Sequence, residues 1–134
     1  MIRRVILGVL LLGIVGLMAE LLLLGHYEGF TQWVPLLALA AGLGALALDG
    51  AYARWWTRGM LAFVMVSFVA TGLLGVYFHF NGSREFQREM DPTMSGITLV
   101  WHVLRAKSPP TMAPGSLVQM GILGLGYAYL RRTR

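Results

Sequence analysis

Residues 5–24 read VILGVLLLGIVGLMAELLLL, a run of twenty residues in which Glu20 is the only charged side chain. A transmembrane helix needs about 20 mostly apolar residues, because the hydrocarbon core offers no water to its backbone. The stretch therefore predicts a first membrane span. Arg3 and Arg4 precede it. The apolar run is longer than the hydrophobic region of a signal peptide, so we expect it to be retained.

The composition of the whole chain agrees with a membrane location. Of 134 residues, 57% are hydrophobic and 13% are charged, and the mean hydropathy is +0.66. A soluble domain of this size could not bury so much apolar surface. We expect a single membrane domain over residues 1–134. The chain has no cysteine, which excludes disulfides, thiolate metal ligands and cysteine nucleophiles.

Three further segments resemble spans, at residues 34–49, 60–79 and 116–130. The last is short, and Gln119 interrupts it. The prediction is an all-α integral membrane protein with a four-transmembrane-helix bundle, located in a bacterial-type plasma (inner) membrane.

The basic residues predict the orientation, because cytoplasmic loops of membrane proteins are enriched in Lys and Arg. With a cytoplasmic N-terminus, the inner side holds seven of the eleven basic residues: Arg3, Arg4, Arg54, Arg58, Arg131, Arg132 and Arg134. The outer side holds four over a much longer loop: Arg84, Arg88, Arg105 and Lys107. The protein should therefore be N-in and C-in. We attribute the net charge of +5 to this orientation and expect no nucleic-acid partner.

The loop at residues 81–115 is the one long segment between predicted spans. Asn81-Gly82 is typical of a turn. Residues 95–107, SGITLVWHVLRAK, place four apolar side chains at helical spacing: Ile97, Val100, Trp101 and Leu104. Ser95 could cap such a helix. It is too short to cross a bilayer, so it predicts a short amphipathic helix at the outer interface.

The candidate ligand- or proton-binding residues are Glu20, His26, Glu28, His79 and His102. In the N-in topology they lie at or near the outer surface, where they could form one polar pocket. A carboxylate within a span, such as Glu20, either exchanges protons or cations or stays hydrated near the interface.

Small residues follow one side of each span and end in polar groups on three of them. These sides are Gly13, Gly16 and Glu20; Ala38, Ala41, Gly42, Ala45 and Asp49; Gly72, Gly75 and His79; and Gly121, Gly124 and Ala128. Small residues let helices approach closely in a bilayer, so these sides should contact other helices.

A divalent metal could bind His26, Glu28, His79 and His102, because imidazole and carboxylate ligands suit zinc and similar ions. The H-x-E spacing of His26 and Glu28 is no established metal motif, and interfacial histidines also serve as plain anchors. Haem is not expected, since the chain lacks C-x-x-C-H. No cofactor is predicted.

In span number and in the carboxylate on the first span, the chain resembles the small multidrug-resistance exporters, although its long 81–115 loop is unlike theirs. The DoxX-like membrane proteins share only the span count, and we assign no family. Our main hypothesis is a protein acting by association, as an accessory subunit or a homo-oligomer, with an outer pocket for a small ligand or ion. The alternatives are a proton-coupled small-solute transporter, with Glu20 as the exchanging group and His79 or His26 as its relay, and an outer-face divalent metal site. No Ser-His-Asp arrangement is recognisable, so we do not expect an enzyme.

Cysteine labelling tests the orientation, because the chain contains no native cysteine. In intact cells, Glu85→Cys and Lys107→Cys should react with a membrane-impermeant maleimide, and Trp56→Cys should react only after permeabilisation. Protection at residue 85 or 107, or reaction at residue 56 in intact cells, would reverse the topology.

Overall fold

The computed structural model describes residues 1–106 and 111–132. These residues form five helices and no strand: α1 (Ile2–Leu23), α2 (Phe30–Tyr52), α3 (Trp55–Met90), α4 (Gly96–Leu104) and α5 (Gly115–Arg132). The all-helical class is thus confirmed. Within the described ranges, α1, α2 and α3 are long and apolar enough to cross a membrane.

The fourth predicted span, residues 116–130, does form a helix. However, α5 is shorter and more polar than the candidate spans and is not one of them. It has 18 residues, including Gln119 and, at its end, Arg131 and Arg132. The structure therefore supports a membrane protein with three candidate spans.

Helix α3 is much longer than the predicted span at 60–79. It comprises 36 residues and continues through Asn81 and Gly82 to Met90, so the turn expected at those two residues is wrong. A glycine inside a helix costs only about 1 kcal/mol relative to alanine. The following residues, 83–90, are mostly good helix formers and can offset that cost.

The described residues divide into two compact units, Met1–Thr71 with Leu117–Arg134, and Gly72–Ser116. The second unit contains α4, whose Leu99 and Val103 are buried. The predicted apolar side of α4 is exposed, with Ile97 at 81% and Trp101 at 58%. Helix α4 is therefore apolar on both faces. Ser95 stands at its N-cap but makes no side-chain capping bond.

Close helix approach at four glycines holds the first unit together. A Cβ on Gly13 would meet Met120, one on Gly42 would lie 2.5 Å from Phe68, and one on Gly121 would lie 2.7 Å from the Met65 carbonyl oxygen. Gly124 packs on Met65 in the same way. We call Gly13, Gly42 and Gly121 the glycine layer. The packing face predicted for α5 (Gly121, Gly124 and Ala128) is confirmed.

The glycine layer gives a common reference point along the helix axes of the first unit. Gly42 lies close to Ile14 as well as Phe68. One end of the unit lies eleven residues from this layer on each helix. The residues at that end are Arg3 (counted from Ile14), Ala53 (from Gly42), Thr57 (from Phe68) and Arg131 (from Met120). At about 1.5 Å per residue, all four lie about 16 Å from the layer. Five arginines gather at this end, which we call the arginine end: Arg3, Arg4, Arg54, Arg58 and Arg131.

Replacing Gly121 by alanine should destabilise the first unit, because the new methyl group would meet backbone that cannot rotate away. We expect a loss of about 1–3 kcal/mol, typical of overpacked cores. Gly126→Ala is the matched control, since a Cβ there has nothing within 4 Å. Titration of SDS into mixed micelles, followed by circular dichroism, measures both. Equal effects would contradict the close approach at Gly121.

Candidate functional site

The arginine end contains a fully buried carboxylate. Asp49, near the end of α2, has no exposed surface, and its Oδ2 lies 2.7 Å from Nη1 of Arg131 on α5. This contact is an ion pair, and Oδ2 has no hydrogen-bond partner among the described residues. Burial of a lone carboxylate is very costly, and the guanidinium beside it offsets that cost.

Thr57, in the first turn of α3, supplies the other polar contact of Asp49. Its Oγ1 lies 3.0 Å from Asp49 Oδ1 and 2.8 Å from the Arg54 carbonyl oxygen, and it accepts from the Arg54 backbone N–H at 3.1 Å. A hydroxyl carries one proton, so it donates to only one of the two acceptors at a time. Thr57 therefore links the start of α3 to the Asp49 carboxylate.

Tyr127 completes this group of residues, which we call the Asp49 cluster (Asp49, Thr57, Tyr127 and Arg131). Tyr127 is 4% exposed and precedes Arg131 by one helical turn. Nη1 of Arg131 donates to the Tyr127 hydroxyl at 3.3 Å, and its guanidinium carbon lies 5.9 Å from the ring centroid. The tyrosine thus holds the arginine towards the carboxylate.

The geometry of the Asp49 cluster favours a structural role. The Asp49 carboxylate has no exposed surface and is neutralised by Arg131, whose guanidinium contacts both Asp49 and the Tyr127 hydroxyl. Helices α2, α3 and α5 each contribute charged or polar groups, so the cluster connects all three. Removing one partner of such a pair typically costs about 3–5 kcal/mol, because the other charge remains buried.

The predicted site residues of the first unit lie at the end opposite the arginines. Glu20 is exposed on α1, and its carboxylate makes no ion pair or hydrogen bond with the described part of the chain. His26 is half-buried in the turn after α1, and its backbone N–H donates to the Leu21 carbonyl oxygen at 2.9 Å. Glu28 is exposed, and its backbone N–H donates to Gln32 Oε1 at 2.8 Å.

The other two predicted residues belong to the second unit. His79 is half-buried on α3, and His102 is exposed on α4. Nδ1 of His102 lies 2.9 Å from the Thr98 carbonyl oxygen, which can only accept, so Nδ1 carries the proton and Nε2 is left to bind a proton or a metal. In residues 1–106 and 111–132, no three His, Asp or Glu side chains are grouped closely enough to hold a metal ion.

His102 also borders an open hollow of about 430 Å³, together with Gln87, Trp101, Arg105 and Ala106. The guanidinium of Arg105 lies 5.7 Å from the Trp101 ring centroid.

The Asp91 carboxyl is hydrogen-bonded by Thr93. The Thr93 hydroxyl donates to Asp91 Oδ1 at 2.6 Å, and with the Thr93 backbone N–H it holds the pKa of that carboxyl below its ordinary value. Electrostatic attraction to the imidazole of His102 lowers this pKa further.

Sequence reasoning missed the Asp49 cluster, although one signal was present. Asp49 is the only acidic residue on the predicted inner side, among seven arginines. A carboxylate in that setting should pair with one of them. Tyr127, one turn before Arg131, could also hold that arginine in place. The sequence does not tell which of the seven arginines contacts Asp49.

The three long apolar helices support an all-helical membrane protein. Comparisons with protein-family models, curated proteins and solved structures find no match for this chain.

The Asp49–Arg131 pair predicts an asymmetric response to substitution. Arg131→Met should cost about 3–5 kcal/mol of unfolding free energy, because it leaves a carboxylate with no exposed surface unpaired. Asp49→Leu should cost less, since Arg131 is 14% exposed and its long side chain can turn towards water.

The double variant Asp49→Leu/Arg131→Met should be more stable than Arg131→Met alone, because no buried charge remains. Arg4→Met, an exposed arginine at the same end, is the control and should change little. Strictly additive effects in the SDS unfolding assay would show that the two side chains do not interact.

Proposed function

We propose that this is a multi-pass protein of a bacterial-type inner membrane that acts by association, as an accessory subunit or a homo-oligomer. In this proposal the bilayer midplane coincides with the glycine layer, and the arginine end faces the cytoplasm. The distance of about 16 Å from the layer to that end is close to half of a hydrocarbon core of about 30 Å. Helix α5 would then be a fourth, shorter membrane helix, packed on α3 through Gly121 and Gly124.

The observation that carries the proposal is the exposed carboxylate of Glu20 on α1. Glu20 lies six residues from Ile14, about 9 Å from the glycine layer, and therefore inside the proposed hydrocarbon core. A charged side chain there costs up to about 3 kcal/mol, decreasing towards the surface. A methyl group on Gly16, one turn before Glu20, would meet nothing within 4 Å. A neighbouring helix could approach there and hydrogen-bond the carboxylate.

The proposal includes a polar pocket at the outer surface for a small ligand or ion. In the first unit, His26 and Glu28 would contribute to this pocket from the turn that follows α1. In the second unit, considered by itself, the imidazole Nε2 of His102 is available to a ligand, because Nδ1 is engaged by Thr98.

A proton-coupled transporter is the rival proposal, because it uses the same exposed carboxylate. In a transporter of small solutes, Glu20 binds and releases the coupling proton, whereas in an assembly it contacts a partner helix. Glu20→Gln distinguishes the two roles. Glutamine can still hydrogen-bond a partner helix, but it has no proton to exchange.

Substitution of Glu20 tests association directly. In mild detergent the native protein should be larger than one chain by light scattering, and Glu20→Leu should weaken that assembly about tenfold, typical of a lost interhelical hydrogen bond. Glu20→Gln should retain it. Glu28→Gln, an exposed acid beyond the end of α1, is the control.

A native protein that is a single chain, with no co-purifying partner, would contradict the association proposal. Coupled flux in liposomes that is lost in Glu20→Gln, with the size of the particle unchanged, would favour the transporter.

A further inference from the structure

The turn between α2 and α3 must lie at a membrane surface. Helix α2 ends at Tyr52 and α3 begins at Trp55, so only two residues connect two candidate spans. Asp49 and Thr57 are in contact across the turn, and Gly42 lies against Phe68 further along the two helices. The two helices are therefore an antiparallel pair that leaves and re-enters the bilayer at residues 53 and 54. This holds for either orientation of the protein in the membrane.

Aromatic side chains surround this turn and are open to the outside. Tyr52 is 59% exposed, Trp55 is 84% exposed and Trp56 is 42% exposed. The rings of Tyr52 and Trp56 lie 6.2 Å apart. Tryptophan and tyrosine prefer the headgroup level of a bilayer, where one edge of the ring is apolar and the other is wet.

The turn also carries positive charge that no described carboxylate neutralises. Arg54 is exposed, and Arg58 uses its Nη2 to donate to the Ala53 carbonyl oxygen at 3.0 Å. Neither forms an ion pair with a described residue. The carboxylate nearby, Asp49, is buried and paired with Arg131. Two guanidinium groups therefore stand at headgroup level without a counter-charge from the described part of the chain.

We infer that residues 52–58 form a binding site for the headgroup of an anionic phospholipid. The lipid phosphate would be held between Arg54 and Arg58, and the acyl chains would lie along the apolar faces of α2 and α3 beneath Trp55 and Trp56. Guanidinium groups bind phosphate oxygens with two parallel hydrogen bonds. Two positive charges at one site also favour a headgroup of net negative charge over a zwitterionic one. The inference depends on α2 and α3 crossing the bilayer and not on the role of Glu20.

Native mass spectrometry of the purified protein in mild detergent tests the site. The probes are phosphatidylglycerol and phosphatidylcholine with identical acyl chains, so only the headgroup differs. Phosphatidylglycerol should bind more tightly, and Arg54→Gln should weaken it about fivefold, as expected for one basic residue at an anionic surface. Arg54→Gln/Arg58→Gln should remove the preference.

Arg88→Gln, an exposed arginine on α3 within the second unit, is the matched control and should leave the preference intact. Because Arg58 also hydrogen-bonds the end of α2, the melting temperature of each variant is measured, and Arg54→Gln alone decides the test if the double variant does not fold. Equal binding of the two lipids, or equal losses in Arg54→Gln and Arg88→Gln, would overturn the inference. Displacement of the lipid by an equal concentration of inorganic phosphate would also overturn it, by showing a site for free phosphate.

Discussion

The first unit depends on one constraint, which is that a carboxylate without exposed surface needs a cation beside it. Asp49 meets this constraint through Arg131, and the pair fixes where α5 ends relative to α2. Thr57 adds the start of α3 to the same point. The glycine layer, eleven residues away along each helix, allows the backbones to come close enough for the pair to form. Polar pairing at one level and close packing at another thus determine the register of the helices.

The sequence predicted the helical class and the approximate positions of the long apolar helices, because hydrophobic length is a direct consequence of bilayer thickness. It did not predict that α3 continues to Met90. Asn81-Gly82 is a turn signal only when the surrounding residues do not favour a helix, and here they do. One apolar face of α4 was predicted and the other was missed, since Leu99 and Val103 pack inwards while Trp101 remains exposed.

The site was predictable in kind and not in detail. A single acid among the seven arginines of the predicted inner side is expected to form an ion pair, yet the choice of Arg131 follows from helix contacts that no local pattern encodes. The candidate residues Glu20, His26 and Glu28 were proposed from their position at the end of an apolar run, on the predicted outer side. Their partners depend on tertiary placement, and His79 and His102 belong to the second compact unit.

Asp49 and Glu20 differ in how a carboxylate on a long apolar helix is stabilised. Both are carboxylates on long apolar helices, but Asp49 faces the interior of the unit and Glu20 faces outwards. The five arginines of the first unit that have described side chains all lie at the arginine end, so none of them is available to Glu20. Its carboxylate forms no ion pair or hydrogen bond with the described residues, and in our proposal water, a proton or another chain satisfies it. Of these, only another chain also makes use of the open glycine one turn earlier, which is why association is the proposal that accounts for both residues.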